Sequence, residues 1–207
     1  MAIDAAAPTP ASLPDMRRQD TANRILDEAE RLFRHYGFTK TTVADIAREL
    51  GMSPANVYRF FASKSAIHEA LAERMLADYE VMLQEISRRP IPASDRLRAF
   101  VLAQHQATVT QMMDETKVHE MVLVALDEHW ATIDRHLKRM TEILARIIRE
   151  GIAAGEFAEQ DPQRAARCFK AAVISVCHPT VVAQCRADPD NAEPGDLAEF
   201  ALRALRA

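Results

Sequence analysis

The chain has 207 residues, 48% hydrophobic and 27% charged, the balance of a soluble globular protein of one or two domains with a real core. Five glycines and little period-two alternation point to an all-α fold, and the odd cysteines Cys168, Cys177 and Cys185, confined to one region, exclude a disulfide framework and fit a reducing cytoplasm. A net charge of −4 argues at first against nucleic acid, but residues 16–64 carry nine basic side chains against six acidic ones, a mildly basic head on an acidic body.

Residues 1–16 begin with a stretch rich in Ala and Pro, without a basic leader or a continuous apolar run, and read as a disordered tail rather than a signal peptide or membrane anchor. Ile25, Ala29, Leu32, Phe33 and Tyr36 then follow helical spacing, and Gly37 stops the run. Thr42 can cap the next helix, with Asp45 completing a variant capping box, and Gly51 ends it. Ser53 caps a short helix with Pro54 in its first position, where a missing N–H costs nothing. Ser63 caps a long amphipathic helix through Ile67, Leu71, Tyr79, Leu83 and Ile86, which stops before Pro90 and Pro92. Beyond lie helices from about Asp95 to Met113 and from about Val118 to Glu128. A third carries Ile133, Leu137, Met140, Leu144, Ile147 and Ile148 and closes near Gly155. Asp161-Pro162 starts a helix expected to reach Cys185, kinked or loosened at Pro179, with Ala165, Phe169, Ala172, Val173 and Val176 on its stripe. After the loop "RADPDNAEPG", the last helix shows Leu197, Phe200, Ala201, Ala204 and Leu205.

The two short helices on either side of Gly51 are too short to be stable alone, so their break has a tertiary or functional purpose. They fit a helix-turn-helix unit: Ala47 is the small residue at the crossing, Gly51 the turn residue, and Ile46 and Val57 the apolar pegs. With Val57, Phe60 and Phe61 inward, Ala55, Asn56, Tyr58 and Arg59 turn outward, a side-chain set suited to a major groove. Arg59 would read guanine and Asn56 adenine, while Thr42, Tyr58 and Lys64 would fix the register on phosphates. The competing reading is a packing corner in a helical core with polar residues outward by accident.

"TTVADIARELGMSPANVYRFFASKSAIHEAL" and the preceding "LFRHYGFTKTT" resemble the N-terminal domain of the TetR (tetracycline-repressor-like) family of bacterial regulators, at Thr42, Ile46, Ala47, Gly51, Ser53, Tyr58, Phe61 and Lys64. "IIREGIAAGEFAEQDPQRAA" is similar to that family's lead into its dimerisation helices. The resemblance implies a DNA-binding set of Thr42, Ser53, Ala55, Asn56, Tyr58, Arg59 and Lys64 in a domain over 17–64, with a ligand-binding and dimerisation domain over 65–207. It also implies a homodimer through the last two helices, whose stripes supply Phe169, Val173, Val176, Leu197, Phe200 and Ala204, though those stripes fit an intramolecular core equally well. The implied partners are a palindromic double-stranded operator and a small effector, with no membrane.

No phosphate loop, GxSxG or HExxH is present, so no enzyme and no cofactor is expected. The histidines, His129 and His136 among them, lack the convergent third and fourth ligands of a metal site. His105, Met112, Met113, Met121 and Trp130 lie between head and dimerisation helices and are candidates for an adaptable, largely apolar cavity, although such groups are more often core. The expectation is a transcriptional repressor released by a small, largely apolar effector. The alternatives are a helical enzyme or binding module that uses the helix-turn-helix only as a corner, and a ligand-independent activator.

Overall fold

The structure is a computed structural model and describes residues 13–112, 123–125, 131–185 and 190–206. Its elements in order are α1 (Leu13–Tyr36), α2 (Val43–Glu49), α3 (Pro54–Tyr58), α4 (Lys64–Ser87), α5 (Ala93–Met112), α6 (Ala131–Ala153), α7 (Pro162–Ala172), α8 (Ile174–Cys177), α9 (Pro179–Cys185) and α10 (Pro194–Arg203). No strand occurs among the described residues, so the fold is all-α.

Side-chain caps set the starts of the head helices. The Thr42 hydroxyl accepts from the Asp45 N–H, and Asp45 Oδ2 accepts from the Thr42 N–H at 2.9 Å, a reciprocal capping box. That hydrogen bonding, led by the Thr42 hydroxyl, holds the Asp45 carboxyl below its ordinary range. Ser53 Oγ accepts from Asn56 N, and Ser63 Oγ from Ala66 N. Gly51 takes φ +65°, the left-handed region that a side chain resists, and so lets the chain turn between α2 and α3.

Two apolar cores follow. Ile25, Ala29, Phe33, Ile46, Ala47, Val57, Ile67 and Leu71 fill the head. Tyr79, Leu83, Leu97, Phe100, Leu144, Ile148, Phe169, Val176 and Leu202 belong to the body's core. One helix, α4, serves both: its first turns carry Ile67 and Leu71, its later turns Tyr79, Leu83 and Ile86. Ion pairs brace it on either side of that junction. Arg74 reaches Asp27 at 2.6 Å and Glu30 at 2.7 Å on α1, while Glu80 receives Arg139 at 2.7 Å from α6.

The structure departs from the sequence reading in four places. First, α1 starts at Leu13, inside the span read as tail. Second, the helix expected from Pro162 to Cys185 is three pieces, breaking at Val173 as well as before Pro179. Pro179 has no N–H to donate and forces His178 out of the helical region, to ψ 125°. Third, Tyr36 and Leu137 face solvent despite their helical register. Fourth, the stripe residues Phe169, Val173 and Val176 are buried inside their own subunit, so they are not a dimer surface. The helix expected over 118–128 lies outside the described residues except for 123–125, which are helical.

Candidate nucleic-acid interface

The helix-turn-helix presents one polar edge. Val57 is fully buried as the anchor of α3, which leaves Ala55, Tyr58 and Arg59 exposed and Asn56 half-buried. Neither Tyr58 nor Arg59 has a hydrogen-bond or ion-pair partner for its side chain among the described residues, so both are available to an incoming surface. Ser53 and Thr42 are exposed but already engaged, each hydroxyl capping a helix start. Arg48 is held by Asp45 at 2.8 Å, whereas Lys40, two residues before Thr42, is exposed and without such a partner.

Lys64 does not fit the expectation that it offers its charge to a phosphate. Its Nζ donates to the carbonyls of Phe38 at 2.8 Å, Thr41 at 3.0 Å and Thr39 at 3.4 Å, and sits 4.3 Å from the Phe38 ring centroid. An ammonium has three donors, and all three are directed into the α1–α2 turn. Lys64 therefore ties the start of α4 to the turn that precedes α2, a positioning role that spacing alone does not reveal.

In the body, the structure places only part of the expected effector lining. His105 Nδ1 lies 2.8 Å from the Val176 carbonyl and donates to it, and Thr108 Oγ1 donates to the Cys177 carbonyl at 3.0 Å. The break before Pro179 removes the helical partners of those carbonyls, and two α5 side chains replace them. Met113, Met121 and Trp130 lie outside the described residues, as does the side chain of Met112.

Sequence reading missed the polar interior beside that break. Tyr79 Oη and His178 Nδ1 are buried without a hydrogen-bond partner among the described residues. Burial, with Cys177 nearby, pushes the Tyr79 phenol up; it lowers His178 and pushes the Cys177 thiol up to about 12. A proline inside a predicted helix was the available signal, because it announces unpaired carbonyls. Burial holds the His136 imidazole below its ordinary range, outweighing its 3.0 Å bond to Glu80, and no group of metal-ligating side chains occurs among the described residues.

Of the expected dimer residues, Phe200 (69% exposed) and Ala204 are on the surface and Leu197 is half-buried against the core. The outward face of α7 carries instead Arg164, Arg167, Cys168, Ala171 and Ala172, followed by Ile174 at half exposure.

A helix-turn-helix head with an exposed polar recognition edge, joined by a shared helix to an all-helical body, defines the class of helix-turn-helix regulatory proteins. Comparison with known families narrows it. Residues 25–71 match the model of bacterial regulatory proteins of the tetR family, and residues 93–198 match the tetracyclin repressor-like C-terminal domain. The chain belongs to the tetR family. It is 40% identical over 87 residues to a putative mycofactocin biosynthesis transcriptional regulator, MftR, of Mycobacterium tuberculosis, spanning 42% of this chain and 43% of that one. It is 27% identical to the HTH-type transcriptional regulator TtgR of Pseudomonas putida, over 72% of this chain and 74% of the relative. A crystal structure of a TetR-family regulator from Pectobacterium atrosepticum superimposes with a TM-score of 0.66 at 20% identity, covering 92% of each chain. The chain thus spans under half the length of the first of these relatives, 43%.

Proposed function

We propose that this protein is a cytoplasmic transcriptional repressor that binds a palindromic operator as a homodimer and is released by a small effector. The observation that carries the reading is the exposed, unpartnered Tyr58–Arg59 edge of α3, beside Asn56, on a head whose α4 continues into the body core. Arg59 offers a fork for guanine O6 and N7 in the major groove, and Asn56 a pair for adenine. Tyr58, Thr42, Ser53 and the exposed Ala55 fix the register, with Lys64 holding the turn behind them.

The apolar face of Ala171, Ala172, Ile174, Phe200 and Ala204 pairs two subunits through α7, the start of α8 and the end of α10, linking two heads for half-sites roughly 34 Å apart. The effector is largely apolar, and of its expected lining the described part is His105. It carries a hydrogen-bonding group for the interior Tyr79 and His178. Its binding biases α4, so effector and DNA weaken each other by the same factor, with a coupling of about 1–3 kcal/mol.

The test is a binding series of wild type and Arg59→Ala on operator and scrambled duplexes. The substitution should cost about 1–3 kcal/mol on the operator and relax preference at one base pair per half-site. Equal loss on both duplexes would remove Arg59 from the reading set. Absence of any sequence preference in wild type would return the helix-turn-helix to a packing corner.

A further inference from the structure

The turn from α4 to α5 forms an open cavity of about 500 Å³ whose lining includes Arg88, Arg89, Arg96, Arg146 and a single acid, Glu150. The geometry points to a binding site there for a small, multiply charged oxyanion, a phosphorylated or polycarboxylate metabolite, held by those four arginines.

The charge balance is the first support. Four guanidinium groups face one carboxylate in a chain whose formal charge is −4. Only Arg96 has that carboxylate as a partner; it also donates to the Ser87 carbonyl at 2.9 Å. Arg146 is met by neutral acceptors alone, Gln84 Oε1 at 2.9 Å and the Ser87 hydroxyl. Arg88 and Arg89 are exposed, and neither side chain has a partner among the described residues. Glu156, which bonds the N–H groups of Ala93 at 2.7 Å and Ser94 at 3.0 Å, lies outside that lining but its charge also acts on Arg96, so the balance is four cations against two nearby anions.

Burial is the second support. Arg96 is 8% exposed, and its Nε has no hydrogen-bond partner among the described residues. A desolvated guanidinium without a full set of acceptors is costly unless something completes it. The ordinary explanation, a cation placed against a helix C-terminus, covers Arg88 as the cap of α4. It also accounts for the bonds of Arg96 and Arg146 to the last turn of α4, but not for Arg89 or for the buried, unpartnered Nε of Arg96. Guanidinium forks match oxyanions bidentately, and low-dielectric walls concentrate their field.

This site is not the DNA surface. The length of α4 separates Lys64 from Ser87 by about 35 Å of helix, which sets this site apart from an operator at the head. It joins the end of α4, the start of α5 and the last turns of α6, so occupancy would clamp three body helices together.

The test is calorimetric titration of the full chain with sodium pyrophosphate and, separately, sodium citrate, each against sodium chloride at matched ionic strength. At least one anion should bind saturably at one site per chain. Arg88→Ala/Arg89→Ala should weaken it about tenfold or more, since both groups bond directly to the charge. Arg17→Ala/Arg24→Ala, which strips the same charge from the exposed side of α1, should leave it within about twofold. Hydrogen exchange with the anion bound should slow at residues 87–96. Pyrophosphate alone would identify a phosphoryl ligand, and citrate alone a polycarboxylate. No saturable binding by either, equal loss in both double variants, or protection confined to the head would overturn the assignment.

Discussion

At the scale of single residues, the tightest constraint is Gly151 in α6. A Cβ there would lie 2.3 Å from two ring carbons of Phe157 and 2.9 Å from the Ala93 Cβ. The ring is buried on the turn after α6 and the alanine belongs to the start of α5, so a side chain at 151 forces the ring or α5 to shift. Gly151→Ala should therefore destabilise by about 1–3 kcal/mol, read as a lower urea midpoint with an unchanged slope. Gly51 poses the opposite case: nothing lies within 4 Å of its Cβ position, and only its φ of +65° resists a side chain. Cys177 gives a chemical prediction of the same scale. With its thiol pushed up to about 12 by burial, the thiolate fraction even near pH 9 is about one in a thousand. Peptide mapping after thiol labelling of the native protein between roughly pH 7 and 9 should find Cys177 unmodified, becoming reactive only when the chain is unfolded. Rapid native labelling would mean that the break at α8 opens on its own.

At the scale of elements, the sequence was most legible where one local signal decides the outcome. Thr42, Ser53 and Ser63 were read as caps, and each bonds the N–H three residues on. The α2–α3 turn was legible for the same reason. The stripe that runs from α7 across the break into α8 shows where that legibility ends. Phe169, Val173 and Val176 declare which face is buried, but apolarity cannot say whether the cover is the same subunit or another. The first claim on a stripe belongs to its own core, and α7 has a second, smaller-featured face of Ala171 and Ala172 that no hydrophobicity scan would rank. Lys64 failed in the opposite direction. Its position at a helix start suggested a phosphate, yet the carbonyls that claim it belong to residues more than twenty positions earlier in the chain. Contacts of that separation leave no local trace. His105 and Thr108 likewise answer a break some seventy residues away.

At the scale of the whole molecule, the proposed dimer rests on groups that do little for the monomer. Phe200 is 69% exposed, so Phe200→Glu should leave the subunit folded with an unchanged helical spectrum. In a dry subunit contact the same carboxylate costs several kcal/mol, enough to raise the dimer dissociation constant by about a hundredfold or more. Sedimentation should show monomer at concentrations where wild type is dimeric, with weaker operator binding as the second readout. A folded dimer of unchanged affinity would place the contact elsewhere. The unbroken α4, which belongs to both cores, is the element through which a displacement begun in the body would reach the head.

The sharing of α4 between two cores also limits how such a protein can be recombined, by evolution or by an engineer. An exchange of DNA specificity that cut the chain at Lys64, where the short helices end, would strip Ile67 and Leu71 from the head they complete. The workable seam lies past Leu71, before Tyr79 enters the other core. A crossover there must still match Arg74 to the acids of the incoming α1. A grafted head therefore keeps its core only when about two further turns of helix beyond Lys64 travel with it.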